Sequence, residues 1–263
     1  DLWIKALALE DSEGKRSVLV TADLLGLPKE LSDRIRLELQ ERFQLSKSQI
    51  ILNSSHTHSA PVLENALVDI YPLDKSQIKA VEDYSEHLVS QYITLVGNAM
   101  EKLEPVKLYS ENGVSRFQVN RRNNDANTLN RTTEINGPSD YAVPVIKVEN
   151  GSGEIMAIAF GYACHPTVLS GYEWSGDYPG FAQIELEKLY PGATALFFQG
   201  AGADQNPLPR HTVPLAQQYG RTLAAAVDGV LHGEMKELDP FLMTSYSEID
   251  LPLSTSPSRE DLT

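Results

Sequence analysis

The sequence predicts an α/β domain, with mixed β-sheets flanked by helices, and three observations predict it. Strand-like segments and helix-period segments alternate along most of the chain. Turn-forming clusters such as Ser12 to Gly14 and Gly151-Ser152-Gly153 punctuate them. The length of 263 residues, 41% hydrophobic and 22% charged, suits one large core or two smaller ones.

Taken in order, residues 2–10 and 16–23 read as two strands joined by the turn at Ser12 to Gly14. Pro28 opens a helix that runs to about Phe43, with Leu31, Ile35, Leu39 and Phe43 at spacing four. Residues 49–54 form a short buried strand, and a loop leads into a long helix from about Ser76 to Leu103. Residues 105–119 read as a strand or hairpin with a turn at Asn112-Gly113. Asn120 to Tyr141 is polar and without period, so it reads as a long surface loop, a feature often tied to function. Residues 143–149 and 154–163 form a hairpin around Gly151 to Gly153, 179–190 a helix, and 193–198 a buried strand. A final helix spans about Val213 to Leu231, and 242–250 reads as a last strand. There is no internal repeat and no low-complexity segment.

The formal net charge of −14 argues against a nucleic-acid partner, which needs clustered Lys and Arg. The basic pair Arg121-Arg122 sits among asparagines. No apolar run approaches the roughly 18–20 residues of a membrane span, so no transmembrane segment is expected. A single cysteine, Cys164, excludes an intrachain disulfide framework. The chain starts at Asp1 without a signal-peptide pattern and ends on a polar stretch. We therefore expect residues 1–263 to be a single domain cut from a longer chain.

Chemistry-bearing residues gather after buried strands. Asn53 to Ser59 contains His56-Thr57-His58. In an extended segment, residues i and i+2 project to one face, so the two imidazoles can point at one spot. Neutral imidazole nitrogens suit zinc; the alternative is two polar loop residues. His165 closes the strand that ends near Ala163, and Pro166 restricts it to extended backbone. A fixed ligand and a satisfied core histidine both fit it. Cys164 reads as a small packed hydrophobe rather than a nucleophile, because its neighbour His165 must face the other way.

The third group is Gln199 to Pro207, where Gly200 and Gly202 permit close approach of backbone. It matches neither a Walker pattern nor a dinucleotide fingerprint. Asp204 could be a supporting carboxylate or a turn cap. Asp177, Asp23 and Arg121 stand near the same strand ends, and an acid beside metal-bound histidines can orient their rings. His87, His211 and His232 read as ordinary surface residues.

Together these runs resemble the neutral, non-lysosomal ceramidase family. Ser55-His56-Thr57-His58-Ser59-Ala60-Pro61 is similar to its Ser/Thr-His-Thr-His-Ser-Gly-Pro run. Asn120-Arg121 resembles its Asn-Arg-Ser segment, and Ala163-Cys164-His165-Pro166-Thr167 its second histidine segment. Ser175-Gly176-Asp177 to Gly180-Phe181-Ala182 resembles its Ser-(Ser/Gly)-Asp-Asn-x-Gly-Tyr-Ala run, and the order matches from about residue 2 to 230. The resemblance implies the family's amino-terminal fold, and hydrolysis of N-acyl bonds in a sphingolipid or other lipid-like small molecule. It implies zinc held by His56 and His165, with a Glu and a Tyr from a carboxy-terminal part completing the site. It implies that His58 and Arg121 act on the substrate, and it is compatible with export without fixing the compartment; Asp23, Asn120, Asp177 and Asp204 are candidates to support the site or to contact the substrate.

One stretch departs from the pattern. The family's Gly-Asp-Val-Ser-Pro-like run carries a serine, whereas Gly202-Ala203-Asp204-Gln205-Asn206-Pro207 carries none. Attack by metal-activated water is therefore the expectation. Hydrolysis of another acyl or sugar-linked bond is the alternative, as is a binding domain that kept the fold without catalysis.

Overall fold

The structure is a computed structural model that describes residues 1–67, 70–125 and 134–257. Two units of the same design are laid face to face. In the first, β1 (Ile4–Glu10) and β2 (Arg16–Ala22) form an antiparallel hairpin. Helix α1 (Lys29–Phe43) then carries the chain across so that β3 (Ile50–Ser54) pairs parallel with β2. Parallel pairing demands such a crossover. The long helix α2 (Lys75–Glu101) packs beside α1; its capping box joins Asp74 and Gln77.

The second unit holds β4 (Val106–Val114), β6 (Ala142–Asn150), β7 (Ile155–Tyr162) and β8 (Thr194–Gln199). Helix α3 (Asp177–Leu189) makes the crossover between β7 and β8, the sheet's parallel pair. Helix α4 (Val213–Leu231) packs against α3, and the edge strand β10 (Lys236–Glu237) completes the order β10-β4-β6-β7-β8. A small ribbon of β5 (Gln118–Asn120) against β9 (Gln205–Pro207) lies apart.

Period-two alternation sorts side chains between three cores. On β2, Val18, Val20 and Ala22 face α1 and α2 with Leu31, Ile35 and Leu39. On β7 and β8, Ile158, Phe160, Tyr162, Ala195 and Phe197 face α3 and α4. The opposite faces meet each other: Leu7 and Leu19 pack on Ala157, Ala159, Leu196 and Phe198. The result is a helix–sheet–sheet–helix stack, which is the expected class of mixed sheets flanked by helices. Gly161 lies on the face between the sheets, where a Cβ would stand 2.2 Å from the Phe198 ring. Lys5 crosses the same layer to Glu187 at 2.6 Å and the Ala195 carbonyl at 2.8 Å.

Two expected elements are corrected. Asn112-Gly113 makes no turn: both lie inside β4, opposite Pro144 and Val143. Gly113 is there because α4 presses close; its Cβ would meet Val230 at 2.8 Å. Residues 242–250 form no strand. They run as an irregular tail, with the Leu242 N–H on Asp11 and Tyr246 against Arg36 and Lys47. Residues 126–133 of the expected long loop lie outside the described residues.

Candidate functional site

Each parallel pair delivers its loops at the carboxyl ends of its strands, where open α/β sheets place ligands. Asn53 locks the two sets together. Its side chain accepts the Gln199 N–H at 2.9 Å and donates to the Gln199 carbonyl at 3.3 Å, tying the end of β3 to the end of β8. The loops after β2, β3, β7 and β8 therefore share one edge.

The His56-Thr57-His58 segment is not the extended strand that the i, i+2 argument assumed. His56 adopts φ +66°, in the left-handed region that is uncommon for a non-glycine residue. Backbone bonds Ser55 N–H to Ala22 O (2.8 Å) and His56 N–H to Leu24 O (2.9 Å) hold the turn against the β2 end. Thr57 is fully buried, and its hydroxyl donates to Ser175 O at 2.7 Å. With Thr57 anchored inward, both flanking imidazoles emerge together. Their ring centroids are 5.1 Å apart, and His165 joins them at 4.9 Å from His56 and 5.8 Å from His58. The three residues' ligating atoms lie within 4.8 Å of one another.

Two rings are braced from behind. His56 Nδ1 lies 2.6 Å from Leu25 O, and His165 Nδ1 lies 2.7 Å from Gly202 O. A carbonyl only accepts, so each Nδ1 carries the proton and each Nε2 keeps its lone pair. Gly202 is required at this point, since a Cβ would stand 2.6 Å from the Cys164 nitrogen. His165 is also held by its own N–H, which donates to Gln205 O at 2.9 Å. Among the described residues, no hydrogen bond braces the His58 ring, and this side chain is exposed.

Burial, reinforced by the charges of His56, His165, Arg121 and Arg210, pulls the His58 pKa down to about 4. Burial also lowers that of His165, partly opposed by the bond to Gly202. Both rings are thus neutral near pH 7, the form a metal requires. Three convergent imidazoles, two of them braced at Nδ1, form a donor set that fits zinc.

The remaining expected residues separate. Arg121 belongs to the site edge: its N–H donates to Asp204 O at 2.7 Å and its Nε to Ala203 O at 3.0 Å. Asn120 stands behind it, giving Nδ2 to Asp204 Oδ2 at 3.1 Å. Asp23 is buried beneath the histidine turn, accepting the Trp3 N–H at 3.0 Å, and burial raises its pKa. Asp177 is fully buried, accepts the Leu169 N–H at 2.8 Å, and is pushed up to about 6 by burial. Among the described residues, no carboxylate is bonded to an imidazole ring of the cluster. At His56 and His165 it is the carbonyls of Leu25 and Gly202 that stand against Nδ1.

Cys164 is fully buried in the second unit's core, and burial pushes its thiol far above the usual range. His87 and His232 lie on helix surfaces, and His211 bonds to Ser170. Sequence reasoning missed Leu25 and Thr57 as an anchor. A backbone carbonyl leaves no residue-type signal, and a threonine is as common in a loop as at a fixed anchor.

Comparison with known proteins agrees with this architecture. The family model described as neutral/alkaline non-lysosomal ceramidase, N-terminal, matches residues 1–206. The chain is 26% identical over 202 residues to neutral ceramidase A of Dictyostelium discoideum, covering 73% of this chain and 28% of that protein. The fold is similar to a ceramidase complexed with C2 (TM-score 0.75, 18% identity, 90% of this chain and 39% of that one). It is also similar to the neutral ceramidase of Pseudomonas aeruginosa (TM-score 0.73, 18% identity, 90% and 40%). The chain thus spans well under half the length of these relatives.

Proposed function

The chain belongs to the neutral/alkaline non-lysosomal ceramidase family, and from that membership we propose that it forms the amino-terminal part of a zinc-dependent hydrolase of N-acyl bonds. The observation that carries the proposal is the convergence of His56, His58 and His165 within 4.8 Å. His56 and His165 are the proposed ligands, because carbonyls behind them fix the tautomer that leaves Nε2 free. A Glu and a Tyr from a carboxy-terminal part would complete the set. When bound, zinc supplies a Lewis acid for the substrate carbonyl and brings the pKa of water near 7.

The chain's own residues do the rest. Among the described residues nothing braces the His58 ring, and it is neutral at pH 7, so its ring nitrogens are open to a proton from the substrate or water. Arg121 spends only Nε on Ala203 O among the described residues, leaving its two terminal nitrogens to donate to negative charge developing on the carbonyl oxygen. The stretch lacking the family serine has a supporting task, since Gly202 O and Gln205 O both hold His165. That supports metal-activated water as nucleophile. A lipid-like N-acyl substrate, such as an acylated amino alcohol, follows from the family.

The test is zinc content by elemental analysis beside turnover of a panel of N-acyl amines by the full-length protein. His56→Ala should lose the metal. His58→Ala and Arg121→Ala should keep it and lose about 10²–10³ in turnover. If His58→Ala empties the site while His56→Ala leaves it filled, the roles are reversed. Bound zinc without turnover would favour a binding domain.

A further inference from the structure

We propose that Asn136 is a self-modifying site: the Gly137 backbone nitrogen attacks its side-chain amide, converting it to aspartate and isoaspartate and loosening the polar loop that follows Arg121. The inference needs no metal and stands apart from the hydrolase reading.

The chain holds Asn-Gly pairs at Asn112, Asn136 and Asn150. Glycine has no Cβ to shield its nitrogen, so the three are similarly reactive in an unfolded chain. The fold separates them. Asn112 and Gly113 lie inside β4 opposite Pro144 and Val143, with α4 pressed on Gly113. Pairing keeps that backbone extended, away from the bend that ring closure needs. Asn150 closes the turn after β6 with its whole amide engaged. Its Oδ1 accepts the Ser152 N–H at 3.0 Å, the Ser152 hydroxyl at 2.9 Å and the Glu154 N–H at 3.0 Å, while Nδ2 donates to Glu154 Oε2 at 3.0 Å. Those bonds must be given up before the amide can turn to Gly151.

Asn136 differs. It is exposed, and among the described residues its amide makes one long bond, from Nδ2 to Glu134 O at 3.3 Å. Its backbone is clamped instead: the N–H donates to Asn124 Oδ1 at 3.0 Å, and the carbonyl accepts Asn124 Nδ2 at 2.7 Å. Gly137 bends the chain directly after it, at φ +88°. A fixed backbone and a free side chain leave side-chain rotation as the step that brings Cγ to the Gly137 nitrogen.

A solvent base takes the Gly137 amide proton, and the nitrogen bonds to Asn136 Cγ. The Cγ–Nδ2 bond breaks, and Nδ2 leaves as ammonia with a proton supplied by water. Water then opens the cyclic imide. Opening at Cγ leaves aspartate; opening at the main-chain carbonyl leaves isoaspartate, whose backbone runs through Cγ and is one carbon longer. The net change is one water in and one ammonia out. In isoaspartate the clamped carbonyl becomes a free carboxylate. Asn124 Nδ2 also donates to Asn120 O at 2.7 Å, and Asn120 Nδ2 to Pro138 O at 2.8 Å, so the change reaches the residue before Arg121.

The experiment holds the full-length protein in mildly alkaline buffer, folded and in urea, and maps its peptides by mass spectrometry with an isoaspartate assay. In the folded protein Asn136 should convert at least about tenfold faster than Asn112 or Asn150, because fewer bonds must be released there. In urea the three rates should come together. Aged protein should also unfold at a lower temperature than an Asn136→Asp variant, whose backbone keeps both bonds to Asn124. Conversion of Asn112 or Asn150 as fast as Asn136 in the folded protein overturns the site, and so does an Asn136 that keeps its amide. Equal unfolding temperatures overturn the loosening of the loop.

Discussion

Replacing Gly202 by alanine should loosen His165 without touching the histidine itself. The added Cβ would stand 2.6 Å from the Cys164 nitrogen, 2.7 Å from Gln199 Nε2 and 2.9 Å from the Ala163 carbonyl carbon. Ordinary contact begins near 3.4 Å, so the backbone must shift by about 0.8 Å. Two of the three obstacles are main chain in a fully packed region, and residue 202 has to move instead. Its carbonyl is the acceptor for His165 Nδ1 at 2.7 Å. A displacement of that size stretches the bond to the edge of hydrogen-bonding range and frees the ring. Overpacking of this kind costs about 1–3 kcal/mol, and losing a ligand's supporting bond costs about 10- to 100-fold in metal affinity. Gly200→Ala is the control, because its Cβ would meet Ala163 at 3.4 Å, an ordinary contact. Zinc titration of both variants in the full-length protein, with thermal unfolding alongside, is the assay. Wild-type zinc affinity in a folded Gly202→Ala variant would refute the claim that this carbonyl positions His165.

Asn53→Ala removes both bonds between the ends of β3 and β8 and should cost about 1–3 kcal/mol by urea denaturation, with zinc affinity falling as the loops drift; an unchanged midpoint would show that packing alone aligns the sheets. The pH dependence of stability carries two opposed signs. His58 is depressed to about 4 from 6.5, so without metal its contribution is complete above pH 6.5 and is lost as pH falls toward 4. Asp177 is raised from 3.8 to about 6, so its contribution is complete below pH 3.8 and is lost as pH rises through 6. His58→Gln should therefore make the metal-free protein relatively more stable at pH 5 than at pH 8, and Asp177→Asn relatively more stable at pH 8; shifts of the same sign in both would contradict the assignment. Cys164→Ser should keep full turnover in the full-length protein, and the native thiol should resist alkylation at pH 8, because burial holds it protonated.

Much of this molecule is written in local pattern. The α/β class, the two crossover helices and the strands β2, β3, β7 and β8 follow from apolar period, because each element buries one face and the period records which. The three imidazoles were legible for a related reason: strand-end loops at a parallel edge are where side chains can converge, and His56, His58 and His165 all stand there. What holds them is another matter. The left-handed turn at His56 comes from bonds to Ala22 and Leu24, some 30 residues earlier, which no window around His56 contains. Asn112-Gly113 has the composition of a hairpin turn, yet pairing with β6 and the weight of α4 keep it straight. The sequence by itself determined which candidate residues stand at the strand ends and which segments fold as units. Only the tertiary structure decided which carbonyls brace the rings and how the two sheets share an edge. Those depend on contacts between distant parts of the chain, made through backbone atoms that every residue possesses.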